Sequence, residues 1–78
     1  MPTIFRAFGF RFFFFSNEHP PPHVHIQGKD GVTKYDMENK ELIYNRGLKT
    51  NDIKKAIETA EGHRAEIIKE WNKRQNNL

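Results

Sequence analysis

Four consecutive phenylalanines, Phe12 to Phe15, constrain this chain more than any other feature. Successive side chains of an extended strand point to opposite faces, so a strand carrying this run has to be covered on both. In a chain of 78 residues there is little material to do so. A domain of this size buries only about 60–65% of the surface of its unfolded chain. An uncovered aromatic face is either a binding surface or a liability. Phe12, Phe13, Phe14 and Phe15 are therefore the expected interface with a second copy of the chain or with a different protein. The alternative is a sheet that curls strongly enough to close on its own phenylalanines.

Before Gly47 the chain reads as short apolar or alternating runs separated by turn residues, the pattern of successive antiparallel strands. Two strands, Thr3 to Phe8 and Phe10 to Ser16, meet around Gly9. One available pairing sets Arg6 opposite Arg11, a like-charge contact that disfavours it. Asn17 to Pro22 follows as an extended connector, because Pro20, Pro21 and Pro22 fix φ and supply no amide donors. His23 to Lys29 and Val32 to Glu38 form the next hairpin, with Asp30-Gly31 as a two-residue type I′ turn. Leu42 to Arg46 is a fifth strand.

After Gly47 the period lengthens. Asn51 to Arg74 reads as one helix capped by Thr50, with Asp52 in its first turn and Lys73 and Arg74 in its last. Its apolar residues, from Ile53 and Ala56 to Ile67 and Trp71, recur at spacings of three and four. His63 and Arg64 interrupt that stripe beside Gly62, where a bend or a functional contact fits. The plainer expectation is that Arg64 lays its stem over apolar surface with its charge in water. The expected architecture is a single α+β domain over residues 1–78. It comprises a small antiparallel sheet of four to five strands through residue 47 and one long C-terminal helix over 50–75 packed on one face.

Three of the four histidines lie within the run His19-Pro20-Pro21-Pro22-His23-Val24-His25. Imidazole titrates near neutrality and ligates metals, so such a cluster is where chemistry is expected to sit. A turn that pairs Lys29 with Val32 sets Val24 opposite Met37 and Ile26 opposite Tyr35 on one face. On the other it sets His23 opposite Glu38, His25 opposite Asp36 and Gln27 opposite Lys34. The apolar face belongs under the helix. On the opposite face His23, His25, Asp36 and Glu38 offer three or four ligands to a divalent transition metal such as zinc, nickel or manganese, and His19 can reach them from the connector. The competing reading is ordinary cross-strand histidine–carboxylate pairs. The run His23-Val24-His25-Ile26-Gln27 also has the His-x-His-x-Gln spacing of the histidine-triad nucleotide hydrolases and transferases, yet nothing upstream builds a nucleotide pocket.

The absence of cysteine excludes disulfides and thiolate metal sites and fits a reducing cytoplasm. No uncharged run approaches the roughly 20 residues of a membrane helix, and no small-residue cleavage site follows the apolar start. A cytoplasmic protein without membrane contact is expected. The net charge of +3 is spread along the chain, with seven Lys/Arg against five Asp/Glu in the first 49 residues and six against five in the last 29. Nucleic-acid binding is thus allowed rather than indicated.

The order Met1-Pro2-Thr3-Ile4, Gly9, Arg11 to Glu18, Pro21-Pro22-His23-Val24-His25, Asn45-Arg46-Gly47-Leu48, His63-Arg64 and Trp71 resembles a bacterial family of small proteins known as domain of unknown function 4160. The resemblance covers nearly the whole chain. It implies a small cytoplasmic α+β protein, often encoded beside a second short protein, an arrangement suggestive of toxin–antitoxin-like or co-complex behaviour; it carries no catalytic residues. Combined with the two-sided phenylalanine strand, it makes a non-enzymatic interaction module, acting as a homodimer or with a neighbour-encoded partner, the leading expectation. A metal-binding protein or metal-dependent hydrolase at His23 and His25 is the alternative, with His19, His63 and Arg64 as further candidates. A nucleic-acid-binding regulator is the third.

Overall fold

The computed structural model describes residues 3–15 and 18–75. Five strands, β1 (Thr3–Ala7), β2 (Phe10–Phe13), β3 (His23–Gln27), β4 (Val32–Asp36) and β5 (Glu41–Arg46), form one antiparallel sheet in chain order. Two helices follow, α1 (Thr50–Gly62) and α2 (Arg64–Gln75). Strand β2 ends three residues earlier than the expected Ser16, which with Asn17 lies outside the described residues. Among the described residues no helix is long and apolar enough to cross a membrane.

The hairpin between β1 and β2 turns on Phe8 and Gly9, both at positive φ (53° and 82°), as the two central positions of a type I′ turn require. That two-residue loop fixes the register, and it sets Arg6 opposite Arg11, the pairing that like-charge repulsion disfavours. Arg11 turns away from the contact: its Nε donates to Thr3 Oγ1 at 2.8 Å, and its guanidinium lies 4.4 Å over the Phe13 ring.

Between β3 and β4 the expected turn is displaced by one residue. Gly28 donates to the Gly31 carbonyl at 2.8 Å, so Lys29-Asp30 forms the corner, and neither residue has positive φ. Every cross-strand partner consequently moves by two: His23 faces Asp36, Val24 faces Tyr35, His25 faces Lys34 and Gln27 faces Val32. A shift of two keeps each side chain on its expected face, because the side-chain period is also two. The reason lies at Gly31, where a Cβ would run into the carbonyl oxygen of Arg46. This glycine is needed for the close approach of two backbones and not for a left-handed turn.

Val24, Ile26 and Tyr35 share the helix-side face and pack with Phe12, Ala56, Ala60, Ile67 and Trp71 into one core. Three of the four phenylalanines are covered from within the chain. Phe12 stacks on Phe5 with ring centres 4.4 Å apart, and Phe14 meets Trp71 edge-on at 5.5 Å. On the other face Phe13 lies against the His25 ring. Phe12, Phe13 and Phe14 are buried, while Phe15 is 41% exposed.

The single long helix is also corrected. It is broken at His63 (φ −113°, ψ 23°), whose amide is shared between the Thr59 and Ala60 carbonyls, and α2 starts at the next residue. The cap before α1 is Lys49, without a side-chain cap hydrogen bond, and Thr50 is already helical. The break falls on the residues that interrupt the apolar stripe. His63 stacks on Phe5 at 4.2 Å. Arg64 is drawn to Glu61 and to the Met37 carbonyl, which its NH1 reaches at 2.6 Å.

The two glycines Gly31 and Gly62 separate close approach from mere tolerance. Gly31→Ala should lower unfolding free energy by about 2 kcal/mol or more, because a rigid carbonyl has to move. Gly62→Ala meets no atom within 4 Å and should be neutral or stabilising by up to about 1 kcal/mol. Urea denaturation of the two variants measures the difference.

Candidate metal centre

The histidine cluster is assembled by β3 and the connector that precedes it. Extended geometry places His23 and His25 on the same, helix-free face of the sheet, and both rings are buried. The third member is Glu18, at the start of the connector, not a carboxylate of β4. Its Oε2 faces His23 Nε2 and its Oε1 lies 3.0 Å from His25 Nε2. One ligating atom from each of Glu18, His23 and His25 lies within 4.8 Å of the others.

Several contacts hold these groups in place. Glu18 Oε1 also accepts from the Phe15 amide at 2.9 Å, and the Glu18 carbonyl accepts from Gln75 Nε2 at 3.0 Å. His23 Nδ1–H donates to the Pro21 carbonyl at 2.9 Å, and Trp71 packs against the His23 ring at 5.0 Å. With Nδ1–H donated there, His23 turns its Nε2 toward the Glu18 carboxylate, where a proton or a metal ion can bridge the pair. A backbone carbonyl on the remote nitrogen is also the usual orienting partner of a metal-ligating histidine. Burial holds the His25 imidazole below its ordinary value of 6.5 against the opposing pull of Glu18, so this ring is neutral at pH 7, the form that ligates metals. His25 Nδ1 has no hydrogen-bond partner among the described residues, so no contact there fixes its tautomer.

Asp36 and Glu38 lie apart from this group. Asp36 stands opposite His23 in the ladder, but its Oδ1 accepts from the amides of Glu38 and Asn39 and its Oδ2 accepts from Asn39 Nδ2. These bonds, the Asn39 amide foremost, hold its carboxyl below the usual range and cap the turn into β5. Glu38 is exposed on that turn. His19 is exposed and lines, with Pro20, Lys34 and Ile43, a cleft of about 360 Å³ that opens onto Glu18 and His23.

His63 and Arg64 belong to a different construction. His63 Nδ1 lies 3.2 Å from Glu66 Oε1 at the surface. Arg64 grips Glu61 with two parallel hydrogen bonds of 2.7 and 2.6 Å, and Glu61 Oε2 also accepts from the Tyr35 hydroxyl at 2.6 Å. The charge of Arg64 thus joins the helix break to β4 while its side chain stays partly in water. Arg64 draws the Glu61 carboxyl below its ordinary 4.5, and burial, aided by Glu61, pushes the Tyr35 phenol up to about 12.

Sequence reasoning found His23, His25 and their face, and missed Glu18. The available signal was a carboxylate next to His19 at the start of the proline connector, but an extended connector carries it away from the strand. In the folded chain the Met37 amide donates to the Pro22 carbonyl at 2.9 Å, which pins the end of the connector against the β4–β5 turn.

The geometry defines a small α+β protein with one sheet face under helices and a carboxylate–imidazole cluster at one end of the other. A family model for a domain of unknown function, DUF4160, matches residues 9–72, and the chain belongs to this family. Among curated proteins and solved structures, none matches the chain.

Acid titration tests the Glu61 clamp. Its folded pKa lies below 4.5, so its stabilisation is present above that value and disappears as pH falls through the folded pKa. Glu61→Gln should be about 1 kcal/mol less stable than the wild type at pH 7, a figure kept small because both partners are partly solvated. The gap should close below pH 4.5, as followed by urea melts across pH.

Proposed function

We propose that this protein is a metal-binding protein, with Glu18, His23 and His25 as ligands of a divalent transition metal. The observation that carries the reading is the convergence of two imidazole nitrogens and one carboxylate, with the His23 nitrogen turned inward by the Pro21 carbonyl. Two histidines and one carboxylate are the donor set of hydrolytic zinc sites, in which the fourth position is kept for water. The cleft beside Glu18 and His23 supplies the opening for such a position, and Lys34 and His19 on its wall suit an anionic substrate group. A metal held there supplies a water whose pKa falls toward about 7. The chain's own residues set the coordination number, exclude solvent on the Trp71 side and leave the cleft side open.

Isothermal titration of chelator-treated, untagged protein with zinc, nickel and manganese tests the reading. One equivalent should bind. At a free metal concentration about 100 times Kd the folded state gains about 2.7 kcal/mol, which raises Tm by on the order of 10 °C in a domain of this size. Glu18→Ala, or His23→Ala with His25→Ala, should abolish binding and the shift, whereas Glu38→Gln should keep both. A wild type that binds no metal, or a double histidine variant that binds as well as the wild type, would sink it.

A further inference from the structure

The ladder aligns side chains in rows across the helix-free face. One row runs Arg6, Arg11, Gln27, Val32, Arg46 over all five strands, a width of about 19 Å at the usual strand spacing. The next row runs Thr3, Phe13, His25, Lys34, Tyr44. Neither row contains a carboxylate. The acidic residues of this face, Asp36 and Glu41, are paired in the row beyond, at the end where His23 and Glu18 lie. Among the described residues Arg6, Arg11, Lys34 and Arg46 form no ion pair.

The like-charged Arg6–Arg11 pair is the informative part of this row. Such a pair is destabilising, and the fold keeps it on the helix-free face, with Arg6 exposed and Arg11 half-buried. With Gln27 and Lys29 they line a cleft of about 290 Å³. Arg11 is preorganised there by Thr3, by Gln27 Oε1 at 3.3 Å and by the Phe13 ring. At the opposite edge Arg46 lies over the Tyr44 ring at 5.1 Å, a cation–aromatic pair of the kind on which bases stack.

We propose that this face binds a single-stranded nucleic acid, with its phosphates along Arg6, Arg11 and Arg46 and a base against the Arg46–Tyr44 stack. Arg6 and Arg11 on neighbouring strands and Arg46 three strands further across the same row give a strand's phosphates cationic contacts at both edges of the face, and an open sheet offers a platform to unpaired bases. It provides no helix to enter the groove of a duplex. The assignment is independent of the metal centre.

Fluorescence anisotropy with labelled RNA and DNA oligonucleotides of about 15 nucleotides tests it, since such strands span one site. Both should bind more weakly as salt rises, and the ratio of their affinities tells which polymer the face prefers. Arg6→Glu with Arg46→Glu should weaken binding at least about tenfold at fixed salt, through loss of phosphate contacts. Lys54→Glu with Lys69→Glu, an equal change in net charge on the exposed helix surface, should leave it within about threefold, as long-range screening allows. Arg6→Glu alone should raise Tm while it weakens binding, because it converts a repulsive cross-strand pair into an attractive one. Equal losses in the two double variants, or no binding at low salt, would overturn the proposal. So would a duplex bound as tightly as the single strand, or polyglutamate competing as well as the oligonucleotide.

Discussion

The passage of the Arg46 carbonyl against Gly31 sets the register that the rest of the sheet inherits. A side chain at Gly31 would hold β5 away, so this residue has to sit in the ladder opposite Gly28, and the corner falls on Lys29-Asp30. From that one placement His25 stands beside Lys34 and not beside a carboxylate. Asp36 stands beside His23, with its oxygens occupied by the turn that follows. The carboxylate that meets the buried imidazoles then comes from outside the sheet, from Glu18.

That arrangement makes the connector part of the site. Glu18 is held through its side chain by the Phe15 amide and through its carbonyl by Gln75, while Pro21 orients the ring that Glu18 faces. Proline is suited to this work, since a segment without amide donors leaves its carbonyls free for other partners. Trp71 closes the same end of the core, touching Phe14 on one side and His23 on the other. The aromatic core and the polar cluster share a wall, so disturbance of either is felt by both.

The strand succession, the helical half and the two faces of the β3–β4 hairpin were legible in the sequence because they depend on periodicity, which a shift of two does not alter. The turn position was not, because Gly31 is read locally as a positive-φ residue while its actual constraint is β5, fifteen residues away in the chain at Arg46. The helix break was visible as a gap at His63 and Arg64, but its cause, the reach of Arg64 to Glu61 and to the Met37 carbonyl, depends on tertiary contact. The cover of Phe12 to Phe14, from the helices and Trp71 on one face and from His25 on the other, was not legible, since it depends on tertiary contact.

The hydrogen bond from Gln75 to the Glu18 carbonyl joins residues 57 positions apart, whereas each strand of the sheet pairs with its neighbour in sequence. Contacts of short separation close cheaply and those of long separation pay their loop entropy late. The meander can therefore form from hairpins alone, and the Phe15 amide can hold the Glu18 carboxylate locally, but the Glu18 backbone is tied down only when the end of the last helix arrives. A nascent chain emerges with Glu18, His23 and His25 long before Gln75, so all three members of the cluster are made before the residue that ties its connector to the helical layer.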